Sequence, residues 1–262
     1  MVPSSRMWGE SRIVVVVPAR DEAPRIGRVV RSMPAFVDRI VVVDDGSRDD
    51  TANATLVCAD PRVTLVRHER SRGVGASIAH GYAVALDEPG RPTDTFAVMA
   101  GDGQMDPRDL ANVVLPVATG RADYVKGTRF RSRETVRVMP RARFVVGHVL
   151  SALTGFAVGR TISDSQCGFT ALSRSLAERL PLASLWSGFG YPNDLIARVV
   201  ESGGRLEEVD VRAIYADEVS RLRATHVPRI GMIVARAYVR RLKAERGRVR
   251  QPDLRAIRSN AS

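Results

Sequence analysis

The fold of this chain is decided by one stretch, Ile40-Val41-Val42-Val43-Asp44-Asp45-Gly46-Ser47. A short run of β-branched residues that ends in turn residues is typical of a fully buried strand. Two carboxylates follow it at the end of the strand where open α/β sheets place their ligands. Alternatively, these turn residues only cap the helix predicted from about Asp49, with Ser47 or Asp49 as the cap. The stretch therefore indicates either one wall of a cleft or a helix start.

Strands alternate with helical patterns along the rest of the chain. Further strands are predicted within residues 12–18, 63–67, 95–99, 124–130, 162–172 and 206–215. Apolar residues at helical spacing fill most of the connections between them. This alternation predicts an α/β fold whose central, mostly parallel sheet is flanked by helices.

Charge is concentrated at the C-terminal end. Residues 219–262 contain twelve Arg or Lys and two acidic residues, which gives +10 of the total net charge of +11. A helix predicted over about residues 228–246 carries an apolar stripe formed by Ile230, Ile233, Val234, Ala237, Tyr238 and Leu242. We therefore divide the chain into a domain over residues 11–225 and a basic helix with a disordered tail over residues 226–262.

The basic helix has several possible uses. It can be a solvated helix, a peripheral contact with anionic membrane lipid, or an oligomerisation surface formed by its stripe. Nucleic acid is the least favoured partner, because the tail lacks interleaved aromatic residues.

A second segment also raises the question of a membrane. Residues 144–159 form the longest uncharged stretch, which is shorter than the roughly 20 residues that a membrane span needs. We expect a core helix or a helix that faces a membrane surface or an apolar acceptor. Residues 1–10 are polar and do not resemble a signal peptide, and the two cysteines suit a reducing compartment. These features predict a cytoplasmic protein, or one held peripherally at the inner membrane face.

Acidic and amide side chains follow three of the predicted strands. They are Asp21 and Glu22, Asp44 and Asp45, and Asp102 with Gln104. Acidic loops alone would repel a phosphate. They suit a nucleotide if one acid recognises the base or ribose and another holds a divalent cation against a diphosphate, as sparse oxygen sites for Mg²⁺ do. A turn that only caps a helix is the alternative for the third loop.

Glycine and arginine residues add to this pattern. Gly73 and Gly75 have part of a dinucleotide fingerprint, but Ile78 stands where its third glycine belongs. The glycines are more easily explained by close backbone approach at a helix N-terminus. Downstream arginines can neutralise a departing diphosphate or a phosphorylated acceptor. Those arginines are Arg129, Arg141, Arg143 and Arg221.

Seven motifs, in their order along the chain, resemble those of a family 2 glycosyltransferase of the GT-A fold, closest to the polyprenyl-phosphate (dolichol-phosphate mannose synthase-like) sugar transferases. The motifs lie within residues 11–225, at residues 16–22, 42–47, 73–76, 99–107, 164–172, 191–195 and 215–220. The resemblance implies a GT-A catalytic domain over residues 11–225 that uses a nucleotide-diphosphate sugar and Mg²⁺ or Mn²⁺.

The resemblance also implies roles for individual residues. Nucleotide-binding residues would be Pro18, Arg20, Glu22, Asp44, Asp45, Gly75, Gly101 and Asp102. Metal ligands would be Asp102 and Gln104. Phosphate-binding residues would be Arg129, Arg141, Arg143, Ser220 and Arg221. Acceptor-binding residues would be Asp164, Gln166 and Tyr191. Catalytic residues would be Asp102, Arg129 and Asp194, the last as the base for a hydroxyl acceptor.

The implied reaction is inverting, metal-dependent transfer of a sugar from a UDP- or GDP-sugar to a polyprenyl phosphate or a hydroxyl-bearing acceptor. Ala100 departs from the pattern, because it replaces the first acid of the family's Asp-x-Asp motif. Two alternatives therefore stay open. One is a soluble glycosyltransferase for a small-molecule or saccharide acceptor, and the other is a catalytically weak nucleotide-sugar-binding protein. A nucleotidyltransferase is disfavoured, because residues 18–22 lack the Gly-rich basic loop that such enzymes use.

Overall fold

A single seven-stranded sheet organises residues 10–214 and 227–249, which are the residues that this computed structural model describes. The strands are β1 (Ile13–Ala19), β2 (Arg39–Asp44), β3 (Val63–Arg67), β4 (Thr95–Val98), β5 (Tyr124–Thr128), β6 (Thr170–Ser173) and β7 (Leu206–Asp210). Their spatial order is β3-β2-β1-β4-β6-β5-β7. Only β6 runs antiparallel to its neighbours β4 and β5, so the prediction of a mostly parallel sheet is confirmed.

Helices cover both faces of the sheet. They are α1 (Ala23–Arg31), α2 (Thr51–Leu56), α3 (Val74–Leu86), α4 (Leu110–Ala118), α5 (Arg133–Val138), α6 (Arg141–Val158), α7 (Arg174–Arg179), α8 (Tyr191–Glu201) and α9 (Val227–Val249). Two single turns of 3₁₀ helix lie at Pro107–Asp109 and Leu182–Ser184. Helices on both sides leave the inner strands without a solvated face, as parallel sheets require.

The strand β2 shows why its sequence is a continuous apolar run. Ile40 and Val42 face one hydrophobic core, and Val41 and Val43 face the other. Successive side chains of a strand point to opposite faces, so a strand between two cores needs apolar residues at every position. All four side chains are fully buried, which confirms the prediction of a buried strand.

The carboxyl ends of the first strands meet at one edge of the sheet. Ala19 at the end of β1 lies beside Asp44 at the end of β2, and Asp44 lies beside Arg67 at the end of β3. The Gly101 amide after β4 donates to the Pro18 carbonyl at 3.0 Å. The loops that carry the predicted acidic residues therefore leave the sheet at the same edge.

The last helix packs on the body of the protein. Ile230, Ile233 and Ala237 of its predicted stripe are buried. The Phe156 ring of α6 stacks on Tyr238 of α9, with ring centroids 5.3 Å apart. These stripe residues are thus used in intramolecular packing. The predicted boundary at residue 225 and the tail beyond residue 249 lie outside the described residues, and the domain division stays a prediction.

Residues 144–158 lie in the helix α6, which packs one face on the protein, as the prediction of a core helix requires. Gly147, Leu150 and Thr154 are buried, and a Cβ on Gly147 would lie 2.5 Å from the Phe130 ring. The opposite face carries large apolar side chains that are exposed. Among the described helices, none combines the length and the apolarity that crossing a bilayer would take.

Candidate active site

The first two acidic loops are bonded to each other. The Asp21 amide donates to Ser47 Oγ at 2.9 Å, and the Arg48 amide donates to Asp21 Oδ1 at 2.8 Å. The Glu22 amide donates to Thr51 Oγ1 at 2.8 Å. Asp21 has a φ of +52°, a left-handed conformation that Asp tolerates better than most residues. These reciprocal bonds hold residues 18–22 and 44–51 as one wall.

Asp45 connects this wall to the loop of residues 68–73. Its Oδ1 accepts from His68 Nδ1 at 2.8 Å and the Arg72 amide at 2.8 Å. Its Oδ2 accepts from Ser71 Oγ at 2.7 Å and the Gly73 amide at 2.9 Å. A carboxylate offers roughly four acceptor positions, so these bonds fill the capacity of Asp45.

The environment of Asp45 keeps it ionised. Burial alone would raise the pKa of Asp45, but the four hydrogen bonds outweigh burial and lower the pKa below its usual value. Asp45 also lies at the N-terminus of α3, where a negative charge is favourable. Its carboxylate therefore orders the 68–73 loop.

Asp44 differs from Asp45. It is fully buried, and its Oδ1 accepts from the Ser47 amide at 2.9 Å. Its buried Oδ2 has no hydrogen-bond partner, although Arg67 Nε lies 3.3 Å away. Neither acid caps α2, whose N-cap position is Asp50, without a side-chain capping hydrogen bond. Asp49 lies one residue before that position, and its Oδ1 accepts from the Thr51 amide at 3.1 Å. The predicted cap at Ser47 or Asp49 is therefore wrong, and helix capping does not explain the two strand-end acids.

The third loop contains Asp102 and Gln104. Asp102 Oδ1 accepts from the Gln104 amide at 3.0 Å across Gly103, whose φ is +74°. The Gln104 carbonyl accepts from the Ile214 amide at 2.9 Å. The turn thus holds a half-buried carboxylate and an amide side chain two residues apart.

This donor set fits a cation shared with a substrate. Within residues 10–214 and 227–249, no group of three or more His, Cys, Asp or Glu side chains is arranged to hold a metal. Mg²⁺ is commonly bound by one or two carboxylates, waters and substrate phosphates. Asp102 and Gln104 stay the predicted ligands of such a site, without a second acid because residue 100 is alanine.

Two glycines assigned to the nucleotide pack against protein. The Gly75 amide donates to the Ser187 carbonyl at 2.8 Å, and a Cβ on Gly75 would lie 1.9 Å from the Trp186 carbonyl oxygen. A Cβ on Gly101 would lie 3.0 Å from the Ala19 Cβ. Close approach requires glycine at Gly75, but what approaches is the loop before α8. The nucleotide-binding roles implied for both stay predictions beside these packing contacts.

Arg129 and Asp164 form one buried pair. Arg129 Nε and Nη2 donate to the two carboxylate oxygens of Asp164 at 2.7 and 2.9 Å. Burial would raise the pKa of Asp164, but the charge of Arg129 and its hydrogen bonds lower it. The predicted phosphate ligand and the predicted acceptor ligand are therefore one unit.

The other two predicted acceptor residues are Gln166, two positions after Asp164, and Tyr191, the first residue of α8. Gln166 Nε2 donates to Ser165 Oγ at 2.8 Å and to Asn193 Oδ1 at 3.1 Å. The Tyr191 hydroxyl lies 3.5 Å from the Gly168 carbonyl oxygen. Burial, with smaller contributions from neighbouring groups that include Asp102, raises the pKa of Tyr191. Tyr191 is therefore a neutral phenol.

Asp194 belongs to a structural network. Its Oδ2 accepts from the Trp186 amide at 3.0 Å and from Arg198 Nε at 3.0 Å. Its Oδ1 lies 3.5 Å from Arg240 Nη2 of α9. The side chain is 7% exposed. These contacts give Asp194 a connecting role between α8 and α9. Its implied role as a base stays a prediction.

The remaining predicted residues lie in different surroundings. Pro18 is buried in β1, one residue before the strand ends. Arg20 follows the strand, and its Nη1 donates to Ser71 Oγ at 2.9 Å. Arg141 is exposed and Arg143 half-buried in the first turn of α6. The implied phosphate ligands Ser220 and Arg221 lie outside the described residues.

The sequence did not indicate one group at this site. His68 Nε2 lies 3.0 Å from His80 Nδ1, and the two rings are nearly parallel, with an interplanar angle of 5°. The pair extends the contacts of Asp45 into α3. A spacing of twelve residues between two histidines does not indicate a contact, because the loop and the helix that carry them come together only in the folded protein.

A mostly parallel sheet with acidic loops at the ends of its first, second and fourth strands defines a glycosyltransferase of the GT-A fold. The glycosyl transferase family 2 model matches residues 14–180, and the chain belongs to this family. The chain is therefore a glycosyltransferase.

Two relatives and one solved structure illustrate the similarity. Polyprenol monophosphomannose synthase of Mycolicibacterium smegmatis is 30% identical over 249 residues, covering 91% of this chain and 92% of that protein. A UDP-N-acetylglucosamine–dolichyl-phosphate N-acetylglucosaminyltransferase of Methanococcus voltae is 27% identical over 252 residues, covering 90% and 97%. Glucosyl-3-phosphoglycerate synthase from Mycobacterium tuberculosis, crystallised with Mn²⁺, UDP and glucosyl-3-phosphoglycerate, has a TM-score of 0.60 at 20% identity, covering 88% of this chain and 79% of that chain. The last similarity concerns the fold.

Proposed function

We propose that this protein transfers a sugar, with inversion, from a nucleotide-diphosphate sugar to a polyprenyl phosphate. The observation that carries the donor half is the convergence of three acidic loops at one sheet edge, where a buried Asp44 oxygen has no hydrogen bond and lies 3.3 Å from Arg67 Nε. The acceptor half is supported by the two relatives, whose names specify a polyprenol and a dolichyl phosphate product or acceptor.

The donor is held by the wall of residues 18–22 and 44–47. A buried carboxylate oxygen without a hydrogen bond is costly unless a ligand satisfies it. We assign contact with the base or ribose to Asp44, and we assign to Asp45 the ordering of the loop beside it. Arg20 and Glu22 complete this side of the pocket.

Asp102 and Gln104 would hold Mg²⁺ or Mn²⁺, which when bound stabilises negative charge on a diphosphate. The crystallised neighbour contains Mn²⁺, which supports a divalent ion in proteins of this fold. Arg129, Arg141 and Arg143 provide cationic groups of the chain itself on the acceptor side. Arg129 is oriented by its bidentate pairing with Asp164.

The chemical step is a displacement at the anomeric carbon. A phosphate oxygen of the acceptor forms the new bond to this carbon, while the bond to the diphosphate oxygen breaks and its electron pair leaves with the nucleotide. A phosphate acceptor is already ionised and requires no general base. The involvement of Asp194 in ion pairs with Arg198 and Arg240 supports this acceptor over a hydroxyl.

Purified protein tests the proposal directly. Radiolabelled UDP- and GDP-sugars are incubated with Mg²⁺ or Mn²⁺ and with a polyprenyl phosphate, 3-phosphoglycerate or a saccharide. We expect organic-phase product only with the polyprenyl phosphate. Donor binding without transfer to any acceptor would instead favour the catalytically weak binding protein that Ala100 keeps open.

A second candidate is transfer to a small phosphorylated acceptor. It is favoured by the solved neighbour, which was crystallised with glucosyl-3-phosphoglycerate. Water-soluble product with 3-phosphoglycerate, at a rate above that with the lipid, would establish it.

With a lipid acceptor, the reaction takes place at the cytoplasmic membrane face, where the protein is held peripherally.

A further inference from the structure

The outward face of α6 carries a strip of exposed apolar side chains. Its members, with their exposed fractions, are Val145 (58%), Val146 (40%), Val149 (52%), Leu153 (48%) and Phe156 (69%). A helix turns by about 100° per residue, so these five side chains fall within an arc of about 100°. We call these five residues the α6 strip.

The α6 strip is more than scattered surface hydrophobicity. Single exposed apolar residues are common on soluble proteins, whereas contiguous patches mark interaction surfaces. Twelve large hydrophobic residues of the described chain are exposed, and five of them form this one strip. Val138, the last residue of α5, is also 60% exposed. A contiguous exposed face of this kind is a candidate interaction surface.

The charged residues of α6 and of residues 227–243 of the adjacent α9 are all basic. They are Arg141 and Arg143 in α6 and five residues of α9, of which Arg240 is already paired with Asp194 and Glu201 of α8. Arg241 Nη1 of α9 donates to the Phe156 carbonyl at 3.0 Å, which places a guanidinium at the C-terminal end of the strip. A partner that covers the strip therefore meets positive charge at both ends.

A cleft beside the strip extends the cationic rim toward the proposed acceptor side. Its volume is about 840 Å³, and its lining includes Phe156, Arg160 and Arg241. Phe130 and Ser163 also line it, and they are the chain neighbours of Arg129 and Asp164. The cleft thus runs from the end of the strip to residues beside the buried pair.

We propose that the α6 strip docks on an anionic lipid bilayer, with the surrounding arginines on the headgroups and the five apolar side chains below them. An apolar stripe with basic flanks has the properties of an interfacial helix. The stripe of α9 cannot serve, because its central residues are buried in the protein. The proposal rests on the proposed function only for its purpose, which is to bring the site to a lipid acceptor.

A second copy of the chain is a poorer occupant of the same face. A two-fold interface would place the same patch of each copy against the other. The arginines at the ends of α6 and α9 would then approach like charges, and no carboxylate of α6 or of residues 227–243 is present to pair with them. An anionic bilayer supplies the missing negative charge.

Vesicle flotation of the full chain tests the proposal. The vesicles contain phosphatidylcholine alone or phosphatidylcholine with phosphatidylglycerol, without donor or acceptor. The test variant is Val149→Asp with Leu153→Asp. The matched control is Leu56→Asp with Val57→Asp, at the last residue of α2 and the residue after it, which are 61% and 71% exposed. Both variants add the same charge at exposed apolar positions.

We expect the wild type and the α2 control to bind vesicles with phosphatidylglycerol, and the α6 variant to lose about tenfold or more in partitioning. Thermal unfolding of both variants should match that of the wild type, since all four positions are exposed. Equal binding by the α6 variant and the control would overturn the proposal. A wild-type dimer that the α6 variant dissociates, without vesicle binding, would overturn it in favour of self-association.

The outcome is separable from that of the proposed function. Transfer to a short-chain, water-soluble polyprenyl phosphate reports the chemical step without a membrane. Vesicle binding without such transfer would contradict the proposed acceptor and leave the docking surface standing. Normal transfer without vesicle binding would support the proposed acceptor and overturn the docking surface.

Discussion

The two adjacent acids at the end of β2 have different surroundings. Asp45 makes four hydrogen bonds to the 68–73 loop, whereas Asp44 keeps one buried oxygen without any. The sequence presents them as equivalent neighbours. The loop-ordering bonds of Asp45, and the ligand contact that we propose for Asp44, both depend on the packing of β3 and α3 beside β2.

We predict opposite effects for the two amide substitutions. Asp44→Asn keeps an oxygen for the Ser47 amide, so stability should change little while the donor Kd rises about tenfold or more. Asp45→Asn loses charge-assisted bonds and should lower the free energy of unfolding by about 1–3 kcal/mol. Urea unfolding and donor titration by calorimetry measure both. A stable Asp45→Asn protein with unchanged donor affinity would contradict the assignment.

Asp45 should also contribute to the loss of unfolding free energy at acid pH. Its pKa is lowered in the folded state, so it binds protons more weakly there than in the unfolded chain. Its contribution is therefore present above the unfolded value of 3.8 and is lost as the pH falls through the folded value. Unfolding free energies of Asp45→Asn and wild type should converge below about pH 4. A constant difference down to pH 2 would argue against this role.

His80 should act at higher pH. Burial, together with the charges of His68 and Arg72, lowers the pKa of His80 below its ordinary value of 6.5. The unfolded chain then takes up the proton first, so stability falls as the pH drops below about 6.5. Urea unfolding at pH 7.5 and 5.5 should show a smaller drop for His80→Gln than for wild type. His148→Gln, at an exposed position of α6, is the matched control and should keep the wild-type drop.

At the scale of elements, α8 and α9 are joined through Asp194. This carboxylate contacts Arg198 in its own helix and Arg240 in α9. A nearby pair, Arg240 with Glu201, is more exposed, with side-chain exposures of 40% and 34%. The two acids therefore make α8–α9 contacts of different burial.

We predict that Asp194→Asn destabilises the protein without abolishing transfer. Removing one partner of a buried pair leaves Arg198 uncompensated and should cost about 3 kcal/mol. Glu201→Gln removes only the exposed contact and should cost less than about 1 kcal/mol. The kcat for a polyprenyl phosphate should stay near the wild-type value in both. A large fall in kcat for Asp194→Asn alone, at a temperature where it is folded, would restore a catalytic role.

At the scale of the whole molecule, the donor pocket is built from loops that are far apart in sequence. A donor that binds only the native state raises its stability, by about 2.7 kcal/mol at one hundred times Kd. We therefore expect a thermal shift with the correct nucleotide sugar and a larger one when Mn²⁺ is added. Mn²⁺ alone should shift the transition little, because Asp102 and Gln104 form only part of a coordination shell. An equal shift with Mn²⁺ alone would contradict the shared site.

The sequence was sufficient for most elements of the sheet. Residues 63–67 were predicted as a strand with the observed bounds, and the run at residues 40–44 lies within β2. It did not predict α5 within the charged segment at residues 131–143, because only the N-cap contact from Ser132 to the Thr135 amide and the packing of buried Thr135 stabilise that short helix. It also could not place β6 between β4 and β5, because strand order depends on contacts between distant segments.

Local pattern by itself predicted the fold class and the loops that carry the candidate site, because apolar periodicity and turn residues act over a few neighbouring positions. The family followed from the resemblance of seven motifs. Tertiary structure alone decided what those residues contact. It placed Gly75 against the loop before α8, paired Arg129 with Asp164, and buried the stripe of α9 while leaving that of α6 exposed. Each of these outcomes depends on which distant surface packs against a side chain, and the order of residues along one element does not contain that information.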